Sequence, residues 1–306
     1  MQWGQIKVLF ILSFLILDLY LLQQFLEKQQ EAELGKITYS ASEDIETVLE
    51  NNDVTFAPDA IPKETPEVPI LISEESKFSE EIISKMKTLE DEGEQIVSLP
   101  SGNVLKAQLE EPVEVTSENV LEQVNSVFPF SNQYSYWGWN KDNGVLLFFQ
   151  KVNDRTVYFN KGGFLMVQVK NNKITGYIAT LLAFSDSPGE DSEKEQMVDL
   201  IDSKRVVKQL YEEEKITSGD QVTKMTIGYH NSLNLAPGQE SGPQVFGPTW
   251  KVTVNESENH FVYAIDGTII TIEEEDFIKE IEATYNLTKQ ISDLTANNQR
   301  SSGEIN

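Results

Sequence analysis

Cysteine is absent from this 306-residue chain, which excludes disulfides, thiolate metal sites and cysteine nucleophiles together. In an oxidising setting its stability must come from core packing, and the ~280 residues outside the first apolar run suffice for one or two domains with real cores. Histidine is nearly absent as well. His230 and His260 are the only two, and neither has an HExxH or HxH partner, so no histidine-based metal site is expected. Basic residues are scarce: 24 Lys and Arg against 50 Asp and Glu give a formal net charge of −26. A polyphosphate backbone needs a basic stripe, and its absence excludes nucleic acid as a partner. Anionic headgroups would be repelled too, so the bulk of the chain should stand away from a membrane surface.

Motifs for chemistry are equally few. No serine sits in a G-x-S-x-G elbow and no glycine-rich phosphate cradle occurs. Asp142-Asn143-Gly144 lacks the other ligands and terminal Glu of a calcium loop, and reads as a hairpin turn. With 50 acidic residues, two carboxylates at glycosidase-like positions carry no weight. The expectation is a protein that is not an enzyme, with no catalytic residue, no cofactor and no metal.

What the sequence does have is an apolar amino terminus. From Gln5 to Leu26 nearly every residue is Leu, Ile, Phe or Val, and a helix of that length spans the ~30 Å hydrocarbon core of a bilayer. The run is longer than the ~7–15 residues of a cleaved signal and ends in Gln29, Gln30, Glu31, Ala32 and Glu33 without an A-x-A-like site. An uncleaved signal anchor is therefore expected, with residues 1–4 cytoplasmic and the rest of the chain outside. Asp18 lies near mid-depth, where a carboxylate costs about 2.5–3.5 kcal/mol. A heptad-spaced line, Gly4, Lys7, Ile11, Phe14, Asp18, Leu21 and Phe25, carries it. If that line faces another helix, Asp18 can hydrogen-bond across the contact rather than face lipid.

The remaining chain reads as α+β. A stalk over 27–41 leads into an α+β segment over 42–116, in which Ser42 caps a helix to about Asn52. Four prolines between Phe56 and Pro69 mark an extended stretch, Ile70 to Ile72 a short strand, and Ser79 to Glu92 an amphipathic helix ended by Gly93. Residues 117–184 form a module of one helix, Ser117 to Phe128, followed by an antiparallel meander; a linker over 185–192 precedes a second such module over 193–275. Its helix is expected from Glu193 to about Lys215, and Gly228 to Gly247 as a long loop. From 276 to 306 the chain is polar and expected to be a disordered tail.

The cluster Tyr134, Tyr136, Trp137 and Trp139 has two readings. It is a strip for sugar, peptide or partner contact, or it is a set of alternate strand residues packing core and rim, with Tyr136 on one face and Trp137 and Trp139 on the other.

Two stretches carry a resemblance. The opening W-x-x-I-K-x-x-F-I-x-x-F-L-x-L-x-L-Y-L, Trp3 to Leu21, and the later PTWKVTV…HFVYAIDGTI, Pro248 to Ile269, are similar to the YycI (WalI) proteins of Gram-positive bacteria. Asp18 departs from the neutral amide expected there. The resemblance implies a single-pass, non-catalytic regulator of the sensor histidine kinase WalK (YycG), which controls cell-wall metabolism, acting with a companion, YycH, through transmembrane-helix and outer-domain contacts. The rival function is an extracytoplasmic binding module for a cell-wall fragment or peptide, discriminated by whether Tyr134 to Trp139 borders a concave pocket. A wall hydrolase is a further rival, tested by peptidoglycan turnover.

Overall fold

The computed structural model describes residues 7, 10–15, 17–24, 45–62, 64–74, 76–184, 197–231 and 243–285. The chain divides into two units, Met1–Asp53 and Val54–Asn306. In the first, residues 10–15 and 17–24 are helical, and α1 spans Ile45–Asn51. Its end is tied by the Asn52 side chain, whose Nδ2 donates to Val48 O at 2.7 Å, before Asp53 turns into the left-handed region at φ 59°. The expected cap at Ser42 and the stalk over 27–41 lie outside the described residues.

The second unit opens with three short strands, β1 (Thr55–Phe56), β2 (Val68–Pro69) and β3 (Leu71–Glu74). Helix α2 (Glu80–Asp91) follows, with Ser79 Oγ accepting from Ile82 N–H at 3.3 Å as its cap. Its Ile82, Met86 and Leu89 recur at helical spacing and are buried; Gly93, at φ 76°, ends it. A hairpin of β4 (Gln95–Ser101) and β5 (Val104–Glu114) comes next. Helix α3 (Val120–Val127) starts three residues later than Ser117. Asn119 Oδ1 accepts from Thr116 N–H at 2.7 Å, which holds Thr116–Asn119 as a turn ahead of the helix.

The first meander is β6 (Tyr134–Asn140), β7 (Val145–Val152), the two-residue β8 (Arg155–Thr156), β9 (Phe164–Lys170) and β10 (Lys173–Thr180). Two short strands follow, β11 (Ala183–Phe184) and β12 (Met197–Val198). Helix α4 covers only Ser203–Glu212, because Asp202 caps it by accepting from Lys204 N–H at 3.0 Å. Met197 and Val198, expected inside that helix, instead pair with Pro69 and Val68. The second meander is β13 (Gln221–Asn231), β14 (Val245–Val254), β15 (Glu258–Tyr263) and β16 (Ile269–Ile270). Strand therefore takes up both ends of the expected 228–247 loop. Helix α5, Glu274–Tyr285, closes the described chain. The disordered tail expected from residue 276 is corrected over this stretch, since Phe277, Ile278 and Ile281 share one helical face and are buried.

Sheet one runs β4-β5-β10-β9-β7-β6, with β8 beside β7. Sheet two runs β1-β13-β14-β15-β16, with β3 joining β14 and β11; β1 meets β13 in parallel. Sheet one is covered on both faces. Leu146 and Phe148 of β7 pack with Met86 of α2 and Val124 of α3, while Val145, Leu147 and Phe149 pack with Phe277, Ile278 and Ile281 of α5. That double burial is why VLLFFQ is continuously apolar rather than alternating. Helix α5 is held at both ends. Glu274 accepts from Trp137 Nε1 at 2.8 Å and Asn140 Nδ2 at 2.9 Å, and Lys106 Nζ donates to Tyr285 O at 2.7 Å, a cation at the negative end of the helix dipole.

Candidate functional site

Two places gather the residues singled out by sequence. In the first unit, Lys7, Ile11, Phe14, Asp18 and Leu21 are all exposed, and Phe25 lies outside the described residues. Exposure is not confined to one face: Phe10, Leu12, Leu15, Leu17, Leu19, Tyr20 and Leu22 are each about half exposed or more. An apolar surface on all sides is what a helix presents to lipid or to other helices. Among the described residues, no helix is long and apolar enough to cross a membrane.

In the second unit, the aromatic cluster on β6 is split by a β-bulge between Tyr136 and Gly138. The bulge shifts the alternation by one residue, so Trp137 and Trp139 do not share a face as expected. Trp139 packs with the α2–α3 side of sheet one and Trp137 with the α5 side. Tyr134 is a core residue, and its hydroxyl donates to Thr180 O at 2.8 Å; burial pushes its phenol well above the usual range. Tyr136 is 41% exposed, with its ring 5.0 Å from Phe148.

Trp137 opens an aromatic seam between the sheets. Its ring lies 5.6 Å from Phe149, 5.1 Å from Phe159 and 6.0 Å from Phe261 of β15; Phe149 in turn lies 4.6 Å from Phe159 and 5.7 Å from Phe277. Phe159 adopts φ 48° to reach this place, a backbone state a bulky residue takes only when its surroundings enforce it. Beside the seam the backbones meet. Val157 bridges Tyr229, and Tyr158 N–H donates to Tyr229 O at 2.8 Å.

Gly228 permits that approach. A Cβ there would lie 2.4 Å from Thr156 O and 2.4 Å from Tyr158 Cε2. Gly228→Ala is expected to force β13 off β8 and lower stability by about 1–3 kcal/mol, read as a lower denaturation midpoint. An unchanged midpoint would mean the sheets are not held at this point.

Beside the seam lies a cleft of about 440 Å³, lined by Tyr136 and Trp137 of β6 and by Lys224, Thr226 and Lys251 of β13 and β14. Pro62 and Pro66 line it too, with Asp154 and Arg155 where β7 turns into β8. Register explains the β13–β14 side. Thr226 lies opposite Lys251, and Lys224 is two residues along the same strand, so all three share one face. Lys251 Nζ sits 4.5 Å over the Trp137 ring, a cation–π contact; burial, with Lys224 nearby, pushes its ammonium below the usual lysine range. Burial also raises the Tyr158 phenol, against hydrogen bonds to Thr226 and Thr156. Sequence reasoning missed these three cations, which stand far apart in the chain and meet only through strand pairing.

The histidines stand apart from the cleft's chemistry. His230 Nδ1 is 3.0 Å from Asn231 O and 3.2 Å from the Tyr263 hydroxyl; His260 Nε2 is 3.3 Å from Glu258 Oε1. Burial lowers the pKa of both. Among the described residues, no group of three His, Asp or Glu side chains is placed to hold a metal ion.

Two sheets joined by an aromatic seam, with helices on the faces and a cleft at the junction, define a sheet-built α+β module. The family described as "YycI protein" matches residues 34–268, and the chain belongs to the YycI family. Its members are membrane-associated regulatory proteins linked to the WalK kinase system and are not known as enzymes. No curated protein matches the chain. Among solved structures, an uncharacterized protein from Eubacterium rectale ATCC 33656 is similar at 9% identity and a TM-score of 0.41, covering 68% of this chain and 87% of its own. The YpeB C-terminal domain of Bacillus megaterium is similar at 11% identity and a TM-score of 0.34, covering 65% of this chain and 98% of its own.

Proposed function

We propose that this chain is anchored through residues 5–26, with its amino terminus cytoplasmic and its bulk outside, and that it regulates the sensor kinase WalK (YycG) without chemistry of its own. It acts with a YycH-like companion, through contacts between transmembrane helices as well as between outer domains. Family membership over residues 34–268 carries this reading. The unpacked apolar side chains of residues 10–15 and 17–22 support the anchor's part in it.

A helix partner changes kinase output only if it prefers one signalling state, and a difference of ~1–3 kcal/mol gives a several-fold effect. Asp18 is the residue best suited to supply part of that difference. Facing a helix it gains a hydrogen-bond partner; facing lipid it costs free energy. Asp18→Leu is therefore expected to leave membrane insertion intact while reducing co-purification of the kinase with the full-length chain several-fold. Undiminished co-purification would remove Asp18 from the contact.

A further inference from the structure

The cleft at the sheet junction runs against the electrostatics of the whole molecule. In a chain with 50 acidic and 24 basic residues, three cations, Arg155, Lys224 and Lys251, line one cleft in which Asp154 is the single carboxylate among the described lining residues. The salt bridges found among the described residues use other lysines, although Asp and Glu are plentiful. Lys224 and Lys251 are set close on one sheet face by strand register, and like charges so placed repel each other unless an anion lies between them. Beside these cations Trp137 offers ring surface to the cleft. A volume of about 440 Å³ falls within the ~300–1,000 Å³ of sites that take a small ligand or a few residues of chain.

We infer that this cleft binds a short acidic peptide segment, its carboxylates meeting Arg155, Lys224 and Lys251 and its backbone lying against Trp137. A guanidinium beside two ammonium groups suits carboxylates spaced along a chain. Among the described lining residues the cleft sets three cations against one carboxylate, so the site is expected to trade stability for binding.

The test uses the full-length chain in detergent and a fluorescein-labelled hexaglutamate peptide followed by anisotropy, with a hexaserine peptide and a glycerol-phosphate oligomer as comparison ligands. Hexaglutamate should bind in a salt-sensitive manner and hexaserine should not. Lys224→Gln and Arg155→Gln should each weaken binding roughly tenfold, the scale of one charge-assisted hydrogen bond. Lys224→Gln, at an exposed position, should also melt at or above the parent's temperature, which separates lost binding from lost folding. Binding that is absent, that is equal in parent and variants, or that prefers the glycerol-phosphate oligomer would overturn the assignment. Kinase association is untouched by these outcomes, so the regulatory reading stands or falls separately.

Discussion

A chain ending at Glu273 is expected to lose cooperative folding of its second unit. Helix α5 packs on one face of sheet one, and without it Val145, Leu147, Phe149, Phe164, Met166 and Ile178 lose Phe277, Ile278 and Ile281 as neighbours. Those three side chains, at about 1.5–3 kcal/mol each, contribute roughly 5–9 kcal/mol, as much as the entire net stability of many domains. The bonds from Trp137 and Asn140 to Glu274 are lost as well. Urea unfolding followed by tryptophan fluorescence should show a broad, early transition and strong binding of a hydrophobic dye before any urea is added. A midpoint equal to that of the parent would mean that α5 is not part of the core. The family match ends at residue 268, so this helix is a feature the match does not cover.

Phe149→Ala has the second-largest expected effect. The ring is fully buried and stands between Trp137, Phe159 and Phe277, so it joins β6, the β8–β9 turn and α5 at one point. Truncating a buried phenylalanine costs about 3–5 kcal/mol, with edge-to-face contacts adding to the area term. Phe149→Leu keeps most of the volume and should cost clearly less. Because Trp137 also lines the cleft, the alanine variant should bind the acidic peptide more weakly, and the leucine variant nearly as well as the parent. Equal stability of the two variants would show that the ring is not closely packed.

Strands β6, β7 and β9 were legible in the sequence because turn residues bracket unbroken β-formers, and α2 because Ser79 and Gly93 punctuate an apolar stripe. Composition hides helix α5. Glu274, Glu275, Asp276, Glu280 and Glu282 give the stretch the polarity of a tail, although Phe277, Ile278, Ile281 and Tyr285 carry a helical spacing. The β4–β5 hairpin lies unmarked within the α+β segment over 42–116, since polar residues interrupt both strands. The bulge at Tyr136–Gly138 has no signal beyond Gly138 itself, and it alone decides which face each tryptophan takes. Least legible was the cleft. Arg155, Lys224 and Lys251 look like isolated surface charges until register and the Gly228 contact bring them together.

The helical residues 10–15 and 17–24, with apolar side chains exposed on every side and an acid among them, are the part on which the proposed function turns. Photo-crosslinking from Phe14, Asp18 and Leu21 in living membranes, followed by identification of the captured chains, tests it most directly. The sensor kinase or its YycH-like companion should be captured from these positions, and less so from Leu12 and Leu19 off the line. Capture of lipid alone, or equal capture from all five positions, would contradict it.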